Sequence, residues 1–172
     1  SLDRVVAVKT THAHLDTAEG RAFFEDEARA AARLEHPNIV RVLSFHPDHQ
    51  PPYYVMQFVE GKPLHEACHD RSPETKAELV EKVARALAYA HAEGVIHRDI
   101  KPSNVLVDWQ EEPHVTDFGL ARRHLVSTET NGTGESTTLR GTPHYIAPEL
   151  FDGDAAVTPT TDVYALGVTL YY

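Results

Sequence analysis

The sequence predicts an α+β protein with two lobes: a first lobe built from a partial sheet and one helix, and a mainly helical second lobe. Short apolar runs, several of them β-branched, dominate residues 1–60, and such runs are typical of strands. After the Gly-Lys-Pro sequence at 61–63, apolar residues recur at helical spacing instead. We therefore expect a break in the chain there, with residues 1–60 in the first lobe and residues 61–172 in the second.

The first lobe is expected to begin with a strand and a helix. Residues 5–8 (Val-Val-Ala-Val) predict a buried strand that ends at Lys9. Residues 17–34 are mostly strong helix formers, and Pro37 ends that helix because the residue before a proline is pushed out of the α region. Four residues are expected on the buried face of this helix: Phe24, Ala28, Ala31 and Leu34.

A hairpin and a long helix are predicted next. Residues 39–45 and 53–59 predict two antiparallel strands around a turn-rich segment. Ser72, which a proline follows, is suited to cap the start of a helix, and Gly94 is suited to end it. The apolar stripe of this helix comprises Leu79, Val80, Val83, Ala84, Leu87 and Ala88.

The remaining segments predict two strands, a loop and a last helix. Residues 105–107 and 114–116 are short apolar runs on either side of a turn. Residues 126–138 are rich in Ser, Thr, Gly and Asn, and such long loops are usually functional or disordered. Residues 161–172 predict a helix whose buried face would contain Val163, Leu166 and Leu170.

Composition restricts the classes of function. The chain carries 16 Lys and Arg against 26 Asp and Glu, a formal net charge of -10, which argues against a nucleic-acid binder because such proteins need a dominant basic face. The single cysteine, Cys68, excludes an internal disulfide and a multi-cysteine metal site. It also favours a reducing, cytoplasmic location.

No run approaches the roughly 18 apolar residues of a membrane-spanning helix. The histidines lack the clustering that is usual for metal ligands.

The residues with the clearest chemical potential are two carboxylates, a lysine and an amide. Asp99, Lys101 and Asn104 lie close together in the sequence, and Asp117 follows soon after them. Mg²⁺ prefers hard oxygen ligands and needs only one or two protein carboxylates when it also binds phosphate oxygens. Asp117 and the amide oxygen of Asn104 can supply these ligands. Asp99 would then accept the proton of an incoming hydroxyl, and Lys101 would neutralise charge on a phosphoryl group.

Four motifs resemble those of the protein Ser/Thr kinase family. Residues 97–104 (His-Arg-Asp-Ile-Lys-Pro-Ser-Asn) are similar to the catalytic loop of that family, and residues 117–119 (Asp-Phe-Gly) are similar to its metal-binding motif. Residues 147–149 (Ala-Pro-Glu) resemble the end of its activation segment. Residues 6–9 (Val-Ala-Val-Lys) resemble its ATP-binding strand. Their order and spacing also agree with the family over essentially the whole chain. The first motif, together with Gly-Thr-Pro at 141–143, resembles the Ser/Thr-directed branch.

The resemblance implies roles for individual residues. Lys9 resembles the lysine that contacts the α- and β-phosphates of ATP, and Glu27 resembles its ion-pair partner, with Glu25 as the alternative. The implied catalytic residues are Asp99, Lys101, Lys9 and Glu27, and the implied Mg²⁺ ligands are Asn104 and Asp117. Around adenine, the resemblance implies Ala7 and Leu106 on the two faces of the base, Met56 at the back of the pocket, and the hinge backbone from Gln57 to Val59.

The resemblance also implies regulation by phosphorylation. Arg98 precedes the implied catalytic Asp99, and Arg122 follows the Asp-Phe-Gly motif. Two guanidinium groups near one another would bind a phosphate through charge-assisted hydrogen bonds and order the loop that carries it. We therefore predict autophosphorylation within residues 127–138, at Ser136, Thr137 or Thr138.

The expected activity is transfer of the γ-phosphoryl group of ATP, with Mg²⁺, to Ser or Thr hydroxyls of a protein substrate. The Gly-rich loop and the later second-lobe helices of the family are not among these 172 residues, so we expect this piece alone to be weakly active or inactive. Two alternatives stay open. A nucleotide-binding pseudokinase or scaffold usually lacks the counterparts of Lys9, Asp99 or Asp117, which are all present here, and a small-molecule phosphotransferase is disfavoured by the complete activation segment.

Overall fold

The computed structural model describes residues 4–10, 25, 28–118, 145–151 and 156–171. Most of the predicted helix at 17–34 and the whole predicted loop at 126–138 lie outside these residues. Within the described chain, strands dominate the part before residue 64, and the two long helices follow it. The prediction of an α+β fold with a strand-rich first part is therefore confirmed.

The first sheet contains three antiparallel strands. They are β1 (Val6–Thr10), β2 (Val42–His46) and β3 (Tyr53–Gln57), and β3 lies between the other two. The predicted hairpin of β2 and β3 is confirmed, although β2 begins three residues later than expected. Ile39 lies outside β2 because it forms a parallel bridge with Val115 instead.

The prediction that the first strand is buried is wrong. Val6 and Val8 are 39% and 58% exposed, whereas Ala7 and Lys9 on the other face of β1 are half-buried. The reason is that the first sheet has only one covered face, so alternate side chains of β1 point to solvent. Lys9 therefore lies on the inner face of the sheet.

Helix α1 (residues 28–32) is followed by a segment that joins the two halves of the structure. The helix ends before Pro37, as predicted, and Ala28 and Leu34 are buried. The N–H of Val40 donates to the carbonyl oxygen of Val115 at 2.8 Å, and the N–H of Val115 donates to the carbonyl oxygen of Asn38 at 2.8 Å. This pairing links the end of α1 to the second sheet.

The second sheet contains β4 (Gly61–Pro63), β5 (Val105–Asp108) and β6 (Pro113–Val115), with β5 in the centre and antiparallel pairing throughout. The sequence predicted β5 and β6 but only a break at 61–63. The Gly-Lys-Pro sequence instead forms β4, and a Cβ on Gly61 would lie 2.2 Å from the carbonyl oxygen of Val107. Glycine at this position permits the close approach of the two strands.

Helices α2 (Leu64–Ala67) and α3 (Pro73–Ala92) follow β4. The predicted cap is confirmed, since the N–H of Thr75 donates to Ser72 Oγ at 3.3 Å. Gly94 has a φ of 76° just past the helix end, a conformation that glycine adopts without steric cost. The buried face of α3 comprises Leu79, Val83, Ala86, Leu87 and Ala90, while Ala88, which was predicted on this face, is exposed.

The buried face predicted for the last helix, α4 (Pro159–Tyr171), is only partly right, since Leu166 is buried as expected but Val163 and Leu170 are not. Val163 and Leu170 are 62% and 49% exposed. The buried residues are Thr161, Asp162, Ala165, Leu166 and Thr169. Asp162 of α4 accepts hydrogen bonds from the backbone of the loop before β5, as described below, which places its face of the helix towards that loop.

One hydrophobic core connects α3, the second sheet and α4. It includes Leu34 and Ile39 from the end of the first part, Ile100 from the loop before β5, and Phe118 after β6. Short 3₁₀ helices occupy Pro102–Asn104 and Pro148–Phe151. Among the described helices, none combines the length and the apolar character required to cross a bilayer.

Candidate active site

The loop at residues 97–104, between α3 and β5, brings three of the predicted site residues together. Lys101 Nζ donates to Asp99 Oδ2 at 2.7 Å, and Asn104 Nδ2 donates to the same oxygen at 2.9 Å. Asn104 Nδ2 also donates to the main-chain oxygen of Asp99 at 2.8 Å. Both bonds use the amide nitrogen, so the orientation of the Asn104 side chain is defined and its oxygen is the atom suited to bind a cation.

His97 supports this loop from inside the core. It is fully buried, its Nε2 donates to the carbonyl oxygen of Thr116 at 2.8 Å, and its Nδ1 accepts from the N–H of Asp99 at 3.2 Å. These partners require the neutral ring with the proton on Nε2. Burial lowers the pKa of His97, opposed by the nearby negative charges of which Asp162 is the largest. His97 is therefore a packed structural residue beneath the loop.

Asp162 on α4 binds the backbone of the same loop. Its Oδ2 accepts from the N–H of His97 at 2.8 Å, and its Oδ1 accepts from the N–H of Arg98 at 2.7 Å. His91 Nε2 on α3 donates to Oδ2 at 2.7 Å. The carboxylate is completely buried, so these bonds compensate the cost of removing its charge from water.

Two backbone conformations in the site are strained. Arg98 has a φ of 71° and Asp117 has a φ of 68°, in a region that non-glycine residues rarely adopt. Each such residue costs about 1–3 kcal/mol and persists only where the surroundings impose it. The bonds from Asp162 impose it at Arg98. The Phe118 ring packs on His97, with ring centroids 4.7 Å apart, and this packing fixes the residue that follows Asp117.

Lys9 reaches the site from the first sheet. Its Nζ contacts Asp117 Oδ1, and both side chains are partly buried, at 34% and 22% exposure. Thr116 Oγ1 donates to the same carboxylate oxygen at 3.2 Å. The structure therefore brings Lys9 and Asp117, which are 108 residues apart in the sequence, to one cleft.

A small cavity lies beside this contact, on the inner side of the first sheet. Its walls include Ala28 and Ala31 of α1, Tyr54 and Met56 of β3, and Thr116 and Asp117. Burial is the main cause of a raised Tyr54 pKa, and the nearby negative charge of Asp117 raises it further. Sequence reasoning did not single out Tyr54.

The residues predicted around adenine occupy both sheets. Ala7 pairs directly with Met56 across β1 and β3, and Leu106 lies on β5 of the second sheet, half-buried. The N–H of Gln57 donates to the carbonyl oxygen of Arg41 at 2.9 Å, so it is already used within the protein. Val59 is half-buried just past the end of β3. Glu27, the predicted partner of Lys9, lies outside the described residues.

The donor set suits Mg²⁺ bound to a polyphosphate. The N–H of Thr116 donates to the carbonyl oxygen of Asn104 at 2.9 Å, which holds the backbone of Asn104 beside that of Asp117. A carboxylate and an amide oxygen are hard ligands of the kind that Mg²⁺ prefers, and phosphate oxygens and water complete its shell. In the described part of the chain, no group of three or more His, Cys, Asp or Glu residues is arranged to hold a metal.

Two site residues could not be recognised from the sequence alone. Asp162 has a weak signal, because it is an acid within an otherwise apolar helical segment. Tyr54 has none, because a tyrosine in a strand is usually part of a core. Both lie beside segments that are distant in the sequence, since Asp162 binds the 97–104 loop and Tyr54 lines the same cavity as Asp117.

Comparison with known proteins gives a consistent result. The protein kinase domain family matches residues 1–172. The chain is 36% identical to the probable serine/threonine-protein kinase PknB of Lactococcus lactis, and this match covers 98% of the chain. It is 37% identical to the serine/threonine-protein kinases PrkC of Bacillus subtilis and PknB of Mycobacterium tuberculosis, and each of these matches covers 99% of the chain. It spans only 26% to 28% of the length of these relatives.

A solved structure agrees with these matches. The crystal structure of the kinase domain of PknI from Mycobacterium tuberculosis superposes with a TM-score of 0.71 at 32% sequence identity, and the match covers 96% of this chain and 61% of that one.

Proposed function

The chain belongs to the protein kinase family, and on this basis we propose that it carries the phosphoryl-transfer site of a serine/threonine protein kinase. One observation carries the proposal. Asp99, Lys101 and Asn104 form one hydrogen-bonded group. Thr116, which binds Asn104 and precedes Asp117, connects this group to the contact between Lys9 and Asp117. These groups are the ones that phosphoryl transfer from ATP requires.

In the proposed reaction, the oxygen of a Ser or Thr side chain attacks the γ-phosphorus of ATP. A bond forms between that oxygen and phosphorus, the bond from phosphorus to the β-γ bridging oxygen breaks, and ADP leaves. The proton of the attacking hydroxyl passes to the Asp99 carboxylate. The Lys101 ammonium, which lies 2.7 Å from Asp99 Oδ2, stabilises the negative charge on the phosphoryl oxygens.

The nucleotide would be held from both sheets. Lys9 binds the α- and β-phosphates, and Glu27 is its proposed ion-pair partner. Ala7 and Leu106 contact the two faces of adenine, while Met56 closes the back of the pocket. The hinge backbone at Gln57 and Val59 binds the edge of the base, where Gln57 must use its carbonyl oxygen because its N–H is bonded to Arg41.

Asn104 and Asp117 would hold Mg²⁺, which would neutralise phosphate charge when it is bound. Asn104 offers its amide oxygen, since its nitrogen donates twice to Asp99. Asp117 offers its carboxylate, which Lys9 and Thr116 contact from two sides.

We also propose a regulatory role for residues 127–138 and a cytoplasmic location. Arg98 is held by Asp162 next to the catalytic Asp99, and with Arg122 it would bind a phosphate on Ser136, Thr137 or Thr138. Use of ATP and the single cysteine support the cytoplasm. The acidic net charge supports a protein substrate rather than a nucleic acid.

The decisive experiment compares the full-length protein with its Asp99→Asn and Asp117→Ala variants, using labelled ATP and Mg²⁺. Wild type should label a Ser/Thr protein substrate. Asp99→Asn should retain nucleotide binding but lose about 10²–10⁴-fold in rate, as expected for removal of a general base. Asp117→Ala should lose Mg²⁺-dependent nucleotide binding. Equal labelling by all three proteins would refute the proposal, and nucleotide binding without labelling by wild type would indicate a pseudokinase.

A further inference from the structure

Thr116 is a nearly buried threonine between β6 and the proposed metal ligand Asp117. It is 8% exposed and directly follows the last residue of β6. Its N–H donates to the carbonyl oxygen of Asn104 at 2.9 Å, and its own carbonyl oxygen accepts from His97 Nε2 at 2.8 Å. The loop before β5 therefore uses both backbone groups of Thr116, which fixes the place of its side chain relative to that loop.

The side chain of Thr116 contacts the carboxylate of Asp117. Its hydroxyl lies 3.2 Å from Asp117 Oδ1, and it is the donor because an ionised carboxylate only accepts hydrogen bonds. Lys9 Nζ contacts the same oxygen. These two contacts distinguish the two oxygens of the carboxylate, since Lys9 and Thr116 both use Oδ1 and neither of them uses Oδ2.

We propose that Thr116 is a positioning residue that orients Asp117 so that Oδ2 binds Mg²⁺. This inference rests on the proposed function, because it concerns a metal ligand of that same site. One residue then connects both proposed ligands, since the Thr116 backbone binds Asn104 and its hydroxyl binds Asp117. When Lys9 engages the phosphates of ATP, the Thr116 hydroxyl stays on Oδ1 and keeps the carboxylate in place.

The shape of the side chain alone does not account for a threonine at this position. Valine has nearly the same shape, and burying a hydroxyl is unfavourable unless the hydroxyl is hydrogen-bonded. Loss of a hydrogen-bond partner of a metal ligand typically costs about 10–100-fold in metal affinity or activity. A distance of 3.2 Å is long for a bond between two oxygens, so we expect an effect at the lower end of that range.

The test compares Thr116→Val, Thr116→Ser and Thr169→Val in the full-length protein. The first variant removes the hydroxyl of Thr116, and the second keeps it. Thr169 is another buried threonine, 6% exposed, whose hydroxyl donates to the carbonyl oxygen of Ala165 at 2.9 Å within α4. Its variant therefore controls for the loss of a buried hydroxyl elsewhere. Binding of the non-hydrolysable β,γ-imido analogue of ATP is measured by calorimetry across a range of Mg²⁺ concentrations.

We expect Thr116→Val to require about tenfold more Mg²⁺ for half-maximal enhancement of analogue binding. Its affinity for the analogue without metal should be unchanged, because the hydroxyl acts on the metal ligand and not on the nucleotide. Thr116→Ser and Thr169→Val should keep the Mg²⁺ dependence of wild type. A purely structural hydroxyl would instead lower the stability of Thr116→Val to urea without changing its Mg²⁺ dependence.

The outcomes separate this inference from the proposed function. If wild type binds the analogue with Mg²⁺ and labels substrate, but Thr116→Val has the Mg²⁺ dependence of Thr169→Val, the inference alone is overturned. An equal loss of affinity with and without Mg²⁺ also overturns it, because the hydroxyl would then act on the nucleotide. If wild type shows neither Mg²⁺-dependent binding nor labelling, both are overturned. If Thr116→Val does not fold, Thr116→Ala takes its place, and the same comparison with Thr116→Ser decides.

Discussion

Lys9 and Asp117 are in contact, although Lys9 lies in the first strand of one sheet and Asp117 follows the last strand of the other. The pair closes a cleft between the two sheets. Both side chains are partly exposed, and ion pairs of this kind contribute little to folding, about 0–1 kcal/mol. The contact is therefore better explained by ligand binding than by stability, since each charge is suited to a different part of a metal-bound triphosphate.

Replacement of this lysine should separate activity from stability. We expect Lys9→Met to lower the phosphoryl-transfer rate by about a hundredfold or more, because a positioned cation that stabilises phosphate charge is lost. Its free energy of unfolding should change by less than about 1 kcal/mol. Lys62→Met, an exposed lysine on β4, is the matched control and should leave both quantities unchanged. A Lys9→Met protein with wild-type kinetics would remove Lys9 from the site.

Local sequence features predicted most of the secondary structure because the physics behind them is local. Ser72 caps α3 through a hydrogen bond to a residue three positions away, and Gly94 ends the helix with its own positive φ. The turn between β2 and β3 likewise depends on neighbouring residues. Such features need no knowledge of the tertiary structure.

The errors occurred where tertiary contacts override local preference. Val163 and Leu170 were expected to be buried on α4, but Asp162 takes the buried position because it binds the backbone of the 97–104 loop. Val8 was expected to be buried with its strand, but it lies on the uncovered face of the first sheet. In the candidate site, motifs predicted Asp99, Asn104 and Asp117, whereas Asp162 became evident only from its bonds to the distant 97–104 loop.

The buried Asp162 should be important for both stability and activity. Asp162→Ala leaves the N–H groups of His97 and Arg98 without this acceptor, and each buried unsatisfied donor costs about 1–3 kcal/mol. We therefore expect a loss of about 2–6 kcal/mol in the free energy of unfolding by the same reasoning, measured by urea denaturation. The neighbouring Val163→Ala on the exposed face of α4 should change it by less than about 0.5 kcal/mol. Similar values for the two variants would contradict the assignment.

Phosphorylation of the 127–138 segment is the third expectation. Mass spectrometry of the active full-length protein should detect phosphate on Ser136, Thr137 or Thr138, and phosphatase treatment should lower activity because the charge-assisted bonds to Arg98 and Arg122 are lost. The Asp99→Asn variant, purified in parallel, should lack the modification if it arises by autophosphorylation. Absence of phosphate from all three residues in an active preparation would rule out this mode of regulation.

The buried His97 predicts that stability falls in mild acid. Burial lowers its pKa from the ordinary value of 6.5, so below that pH the unfolded chain binds a proton that the folded chain excludes. The free energy of unfolding should then decrease as pH falls below about 6.5, by up to about 1.4 kcal/mol per pH unit. Carboxylates whose pKa is lowered, such as Glu112 beside Lys82, begin to lose their contribution only below their ordinary value of 4.5, so the two effects are separable.

Urea denaturation between pH 7.5 and pH 5 measures this slope. His36 also has a pKa lowered by burial, so His36→Gln is the matched control that removes the contribution of a half-buried ring. His97→Gln keeps a donor for the carbonyl oxygen of Thr116 and an acceptor for the N–H of Asp99 but does not titrate, and it should therefore lose most of the pH dependence even if it is less stable at pH 7.5. A His97→Gln protein with the full wild-type slope would show that the proton is taken up elsewhere, and that the neutral ring beneath Asp99 is not what makes the fold sensitive to acid.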